Sequence, residues 1–275
     1  MNDSRLNLKH IISPDAIRNI QLNILKHFID VCEQNSIRYF LAYGSMLGAI
    51  RHNGFIPWDD DIDVMVLRDD VHKLISFFNN GKYSIINSKI NKKYFSPLLK
   101  AYDSSTLLIQ DYGQNEGLNL GVYIDVFVLD KVPSDEIYRK KFYKKADDYR
   151  FKWALSCSRF NSKSKNAFVW FVKKIISIPY KIIGSHHFAM KYDRFASSYN
   201  NDNYLYGIVV YGEGFDKEYA YTEQDLENIE VMFEGIKVLI PKSYDLVLKR
   251  CYGEYMELPP TEERKKHSFK AYYRN

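Results

Sequence analysis

Two short stretches restrict the fold of this chain more than any other feature. Asp61-Ile62-Asp63-Val64 alternates polar and apolar residues, and Val122 to Leu129 is an apolar run interrupted by Asp125. Side chains two apart on a strand point the same way, so Asp61 and Asp63 share one face while Ile62 and Val64 take the other. An aspartate flanked by Val122, Ile124, Val126 and Phe127 is costly to bury unless a partner or a metal compensates it. The two stretches therefore read as neighbouring strands whose three carboxylates converge. Such a trio suits a hard cation, Mg²⁺ or Mn²⁺, and would repel itself without one. An EF-hand calcium loop starting at Asp59 is excluded. Its sixth position would be Val64 and its twelfth Asp70, where glycine and glutamate are required.

The elements around these strands read as a mixed α/β arrangement. Ser13-Pro14-Asp15 caps a helix whose apolar positions Ile17, Ile20, Ile24, Phe28 and Val31 carry it to about Gln34. A buried strand follows from Ile37 to Tyr43. Gly44-Ser45 ends it, and a short helix spans Met46 to Arg51. A loop with Gly54, Pro57 and Trp58 leads to the strand Asp61 to Leu67, and a helix covers Asp69 to Asn80. Weaker strands are expected at Tyr83–Ser88, Tyr94–Tyr102 and Leu107–Tyr112. Helices are expected at Ser134–Ser158, Ala167–Ile183 and His186–Tyr199. A hairpin turning at Glu234-Gly235 and a short helix ended by Gly253 complete the order. The predicted organisation is a catalytic core over 1–133, a helical insertion over 134–203 and a β–α tail over 204–275 that completes the core. Gly44-Ser45 opens a helix N-terminus, whose backbone N–H groups can hold phosphate.

Composition narrows the function classes. Apolar residues make up 46% of the 275 residues, enough for a sizeable core. The net charge of +5 comes from 39 basic and 34 acidic residues and is too small to point to nucleic acid. Cys32, Cys157 and Cys251 form no CxxC pair, which fits a reducing compartment. Met1 to His10 carries no apolar h-region, so no secretory signal is expected. The run Ala167 to Gly184 is the most apolar of the insertion, but Lys173, Lys174, Lys181 and Pro179 make it a poor spanning segment. It reads either as a core helix or as an interfacial helix at the cytoplasmic face of a membrane. Burial or exposure of Trp170, Phe171 and Ile175 separates the two.

The segment AYGSMLGAIRHNGFIPWDDDIDVMV, Ala42 to Val66, resembles the signature of the LicD family of phosphotransferases, which includes the fukutin-type relatives. YIDVFVLD, Tyr123 to Asp130, resembles that family's third-carboxylate strand, and YGEYMELPPTEERKKH, Tyr252 to His267, is similar to its C-terminal tail. Fifteen residues separate Ser45 from Asp61, a longer gap than in the wider superfamily, and the RHNGFIPWDD insertion accounts for it. The resemblance implies a nucleotidyltransferase-like mixed sheet with flanking helices. It also implies transfer of a phosphorylated alcohol, phosphocholine first among them, from a CDP-activated donor to a glycan hydroxyl. CMP would be released. The implied partners are the CDP-alcohol and a glycan acceptor, which a lipid can carry, and the implied location is the cytoplasm or the inner face of the membrane.

Carried onto this chain, Gly44 and Ser45 would cradle donor phosphate, and Asp61, Asp63 and Asp125 would hold Mg²⁺ or Mn²⁺. Arg51 is a phosphate clamp or a surface charge. His52 reads more as a structural hydrogen-bonder than as a base, and Trp58 as a brace for the metal loop. Asp59 and Asp60 are outer acceptors or the base for the incoming hydroxyl. Lys100 would neutralise phosphate unless it is simply solvated. His267 lies in the basic stretch Arg264-Lys265-Lys266 and is a substrate contact or part of a charged tail. Two other readings stay open. One is a nucleotidyltransferase that moves NMP to a small molecule or protein, and the other is a catalytically silent binding module of the same fold.

Overall fold

A computed structural model describes residues 11–110, 118, 120–157, 167–264 and 269–274. Its first helix, α1 (Pro14–Gln34), starts where the capping residues place it, with Ser13 Oγ accepting from the Ala16 N–H at 3.3 Å. The apolar stripe of α1, from Ile17 through Phe28 to Cys32, is buried, and Gln21 is the one polar residue within it.

The central sheet is mixed, and its main path runs β1 (Tyr39–Leu41), β2 (Asp63–Leu67), β6 (Tyr123–Pro133), β4 (Leu99–Asp103), β3 (Tyr83–Ile86). β2 and β6 run parallel, with Asp63 opposite Asp125, and the other pairs on that path are antiparallel. β6 is long enough to serve two neighbours on one edge. Its first half pairs with β4, and Leu129 to Pro133 pairs with β7 (Tyr204–Ile208). Two hairpin-like pairs stand apart, β5 (Thr106–Gln110) with β10 (Phe269–Tyr273), and β8 (Asn228–Phe233) with β9 (Ile236–Pro241). The β8–β9 turn carries positive φ at Glu234 (50°) and Gly235 (76°), the conformation a two-residue hairpin needs.

The other helices are α2 (Tyr43–His52), α3 (Val71–Phe78), α4 (Glu136–Cys157), α5 (Ala167–Ile183), α6 (Ser185–Ala196) and α7 (Tyr244–Tyr252). The main core joins α1, α2, α3 and α7 to the central sheet and the β8–β9 pair. A second, smaller core lies between α4, α6 and the stretch Val209-Val210. The mixed sheet with flanking helices is the expected fold class. Several details differ from the sequence reading. α2 begins at Tyr43, so Gly44 and Ser45 lie inside the helix and do not precede it. β4 begins only at Leu99, because Pro97 and the Asn87 and Asn91 side-chain turns keep the preceding residues out of the ladder. β2 begins only at Asp63, so Asp61 stands in the loop before the strand and does not share its face with Asp63 by strand alternation. The sequence reading places no strand at Tyr204–Ile208 or Phe269–Tyr273, where β7 and β10 form.

The helical segment is fastened to the sheet by buried charge. Arg68, just after β2, donates from Nε and Nη2 to both oxygens of Asp130 on β6, at 2.6 and 2.9 Å. Its Nη1 donates to Asp193 on α6 at 2.8 Å, and Lys89 Nζ reaches the second Asp193 oxygen at 2.6 Å. Burial pushes the Asp130 carboxyl above its ordinary value even though Arg68 pulls against that shift. Removing the guanidinium would leave a fully buried carboxylate unpaired. Arg68→Leu is expected to cost about 3–5 kcal/mol in urea unfolding, and Arg68→Leu with Asp130→Leu to cost less than the single change.

Candidate functional site

The site forms where β1 passes into α2 and where β2 and β6 begin. Ala42 N–H donates to Asp63 O at 2.9 Å, and Asp125 N–H donates to Ile62 O at 2.9 Å. These bonds fix the height of the carboxylate-bearing residues. Ser45 Oγ accepts from the Asp63 N–H at 2.8 Å, so this buried hydroxyl holds the start of β2. Gly44 has a steric reason: a Cβ there would lie 2.7 Å from Asp59 Oδ2. The Asp59 carboxylate thus sits against the first turn of α2, where free N–H groups favour negative charge.

Three residues form a row across the sheet. Lys100 on β4 pairs with Asp125 on β6, which pairs with Asp63 on β2. Lys100 Nζ donates to Asp125 Oδ1 at 2.6 Å and stands 3.3 Å from the centre of the Tyr123 ring. Its side chain is only 11% exposed, so it is a buried ion-pair member and not a solvated lysine. Burial works against the ammonium charge, but Asp125 beside it raises the Lys100 pKa overall. Burial, reinforced by Asp59 and Asp125, pushes Asp61 up to about 8. Asp63 is held well above the usual carboxylate range by burial and by Asp61, Asp125 and Asp59. The carboxylate oxygens of Asp59, Asp60 and Asp61 can all lie within 4.8 Å of one another. Asp59, Asp60 and Asp61 are thus the carboxylates whose oxygens gather closely enough for one ion, while Asp63 and Asp125 act on Asp61 through their charge and Lys100 pairs with Asp125. An all-oxygen donor set of this density fits a hard divalent ion.

The other expected residues take different places. Arg51 Nη1 donates to Tyr255 O at 2.5 Å and Glu257 O at 3.1 Å, and its Nε donates to His52 Nε2 at 3.0 Å. Its guanidinium therefore ties α2 to the segment after α7. His52 meets Trp58 edge to face at 6.3 Å, and Arg264 stands over the Trp58 ring at 4.5 Å. These four residues brace the acidic loop against the C-terminal segment. Burial and the Arg51 charge lower the His52 pKa. His267 lies outside the described residues.

Sequence reasoning passed over several residues that shape the site. Arg18 Nη2 donates to Asp59 O at 2.8 Å, and Gln21 Nε2 donates to Asp60 O at 2.9 Å, so α1 grips the backbone of the acidic loop. The signal was Gln21, an amide set in an apolar helix stripe. Tyr43 has φ of 39°, its ring meets Phe127 edge to face, and its hydroxyl donates to buried Glu218 at 2.5 Å. No local pattern points to the Tyr43–Glu218 and Tyr43–Phe127 contacts.

The family profile described as LicD/FKTN/FKRP, nucleotidyltransferase domain, matches residues 36–154, which include the whole acidic cluster. The lipopolysaccharide cholinephosphotransferase LicD of Haemophilus influenzae is 30% identical over 266 residues, 92% of this chain and 94% of that protein. The human ribitol 5-phosphate transferase FKRP is 44% identical over 46 residues, 17% of this chain and 9% of that one. An uncharacterized protein of Rickettsia prowazekii is 24% identical over 147 residues, about half of each chain.

Glu218 supports the residue that opens α2, and its acidity gives a measurable signature. Burial pushes its carboxyl up to about 7 from an ordinary 4.5. The folded protein then holds this proton more tightly than the unfolded chain does. The Glu218 contribution to stability accordingly falls as pH rises from 4.5 to about 7 and is flat above that. Glu218→Gln keeps the acceptor oxygen and removes the titration. Its stability relative to the natural protein is expected to improve by about 3 kcal/mol between pH 4.5 and 8 in urea unfolding.

Proposed function

Because this chain belongs to the LicD family and is a phosphotransferase of that type, we propose that it moves a phosphorylated alcohol from a CDP-activated donor to a glycan hydroxyl. The carrying observation is the Lys100–Asp125–Asp63 row beside the first turn of α2, within a chain that covers nearly all of a cholinephosphotransferase. Phosphocholine is the first alcohol to test, and phosphoribitol the second, since the relatives' names specify choline and ribitol 5-phosphate.

In this reading Asp61, Asp63 and Asp125 would hold Mg²⁺ or Mn²⁺, with Asp59 and Asp60 beside Asp61 as further oxygen donors. A divalent ion there would neutralise charge on the phosphoryl group. The N–H groups at the start of α2, including those of Gly44 and Ser45, receive phosphate oxygens. Lys100 holds Asp125 in place and offsets part of the local negative charge. The acceptor oxygen attacks the phosphorus that carries the alcohol. The new P–O bond forms as the bond to CMP breaks, and the hydroxyl proton passes to Asp59 or Asp60. Arg51 and His52 support this site through the brace described above. A cytoplasmic workplace accords with three cysteines that form no disulfide, Cys32, Cys157 and Cys251.

A panel of CDP-alcohols with Mg²⁺ and a glycan acceptor tests the reading. CMP release with one CDP-alcohol is expected, and pyrophosphate release from a nucleoside triphosphate would indicate the nucleotidyltransferase reading instead. Asp63→Asn should leave less than about a tenth of the rate, at least ~1.4 kcal/mol of barrier, with the melting temperature preserved or raised. A variant that keeps full turnover would remove Asp63 from the site.

A further inference from the structure

Helix α5 is packed the wrong way round for a core helix. Ser177 is buried, and Tyr180 packs beside Trp153 and Phe188, so this side faces α4 and α6. The side left outward is the more apolar one. Phe171, Ile175, Ile178 and Ile182 recur at steps of four, three and four residues, which places them in one stripe. They are 55%, 51%, 45% and 81% exposed, and Ile176 and Ile183 widen the stripe at 47% and 56%. A monomeric surface rarely leaves so many large apolar side chains together without a use.

Charge says what the stripe meets. From Tyr149 to Tyr192 the chain carries nine basic residues, Arg150 through Lys191, and no aspartate or glutamate. The whole chain holds 34 acidic residues among 275, so a 44-residue stretch without one is a marked asymmetry. Lys173, Lys174 and Lys181 lie on α5 itself, and the Lys174 ammonium stands 3.4 Å from the centre of the Trp170 ring. A second copy of the chain docked symmetrically on this face would bring the same cations against these, which opposes association. An anionic bilayer supplies both complements, apolar depth for the isoleucines and negative headgroups for the lysines. No helix among the described residues is long and apolar enough to cross a membrane, so α5 would lie in the plane of the interface.

We infer that α5 is a membrane-docking helix that seats its Phe171–Ile175–Ile178–Ile182 stripe in an anionic lipid surface. This inference is independent of the donor, the metal and the transferred group. Flotation of the whole protein with vesicles tests it. One set is phosphatidylcholine alone, and the other contains about a third phosphatidylglycerol. Binding is expected to the second set only and to weaken as salt rises above about 0.15 M. Ile178→Asp with Ile182→Asp should lower that binding at least about tenfold without changing the melting temperature, since both side chains are exposed. Lys181→Glu, next to Ile178 and Ile182 on the helix surface, should weaken it as well. Absence of binding to anionic vesicles, equal binding to neutral ones, or binding unaffected by the aspartate pair overturns the inference. So does a dimer in solution that the aspartate pair dissociates, because the stripe would then belong to a protein interface.

Discussion

The parallel pairing of β2 with β6 is the constraint around which the molecule is arranged. It sets Asp63 directly opposite Asp125, two like charges that oppose each other at the head of the sheet. Parallel neighbours also require a long connection, and the chain from Arg68 to Val122 provides it, carrying α3, β3, β4 and β5. That connection returns β4 to the far edge of β6, which is how Lys100 arrives beside Asp125. The topology that creates the electrostatic conflict therefore also delivers the cation that relieves part of it. A metal-binding reading and the Lys100–Asp125 pair are compatible, because one ammonium offsets only part of the charge of several neighbouring carboxylates.

Buried polar contacts hold the surrounding frame in register. Arg18 and Gln21 fasten the acidic loop by its carbonyls, which sets its position without using its carboxylates. Ser45 does the same for β2 through the Asp63 N–H. At the other end of the same strands, Arg68 joins Asp130 to Asp193 and couples the sheet to α6. Each bond satisfies a group that burial would otherwise penalise, so the loop geometry and the core are stabilised together.

Local pattern accounts for what the sequence revealed. The α1 cap, the isolated Asp125 and the Glu234-Gly235 turn are short-range signals with a matching element at each, whereas the alternation from Asp61 yields a strand only from Asp63, which leaves Asp61 in the loop before it. The strands β7 and β10 escaped because Tyr204–Ile208 and Phe269–Tyr273 acquire their ladders only from distant partners. Lys100 was visible as a candidate, but its burial depends on the β4–β6 register, which no window of sequence specifies. Arg51 shows the same limit. A lone arginine in the last turn of a helix can serve a phosphate or a backbone, and only the return of Tyr255 and Glu257 shows which carbonyls it meets.

The return of the C-terminal segment also has a meaning in time. The carboxylates of the acidic cluster leave the ribosome about 130 or more residues before Tyr255, Glu257 and Arg264. Until then Arg51 lacks its carbonyl partners and Trp58 lacks its guanidinium cover, and the pairing of β10 with β5 cannot form. A nascent chain thus displays its negative charges before the brace that orders them. The brace arrives as a closing event, when a later-made segment folds back over one made earlier.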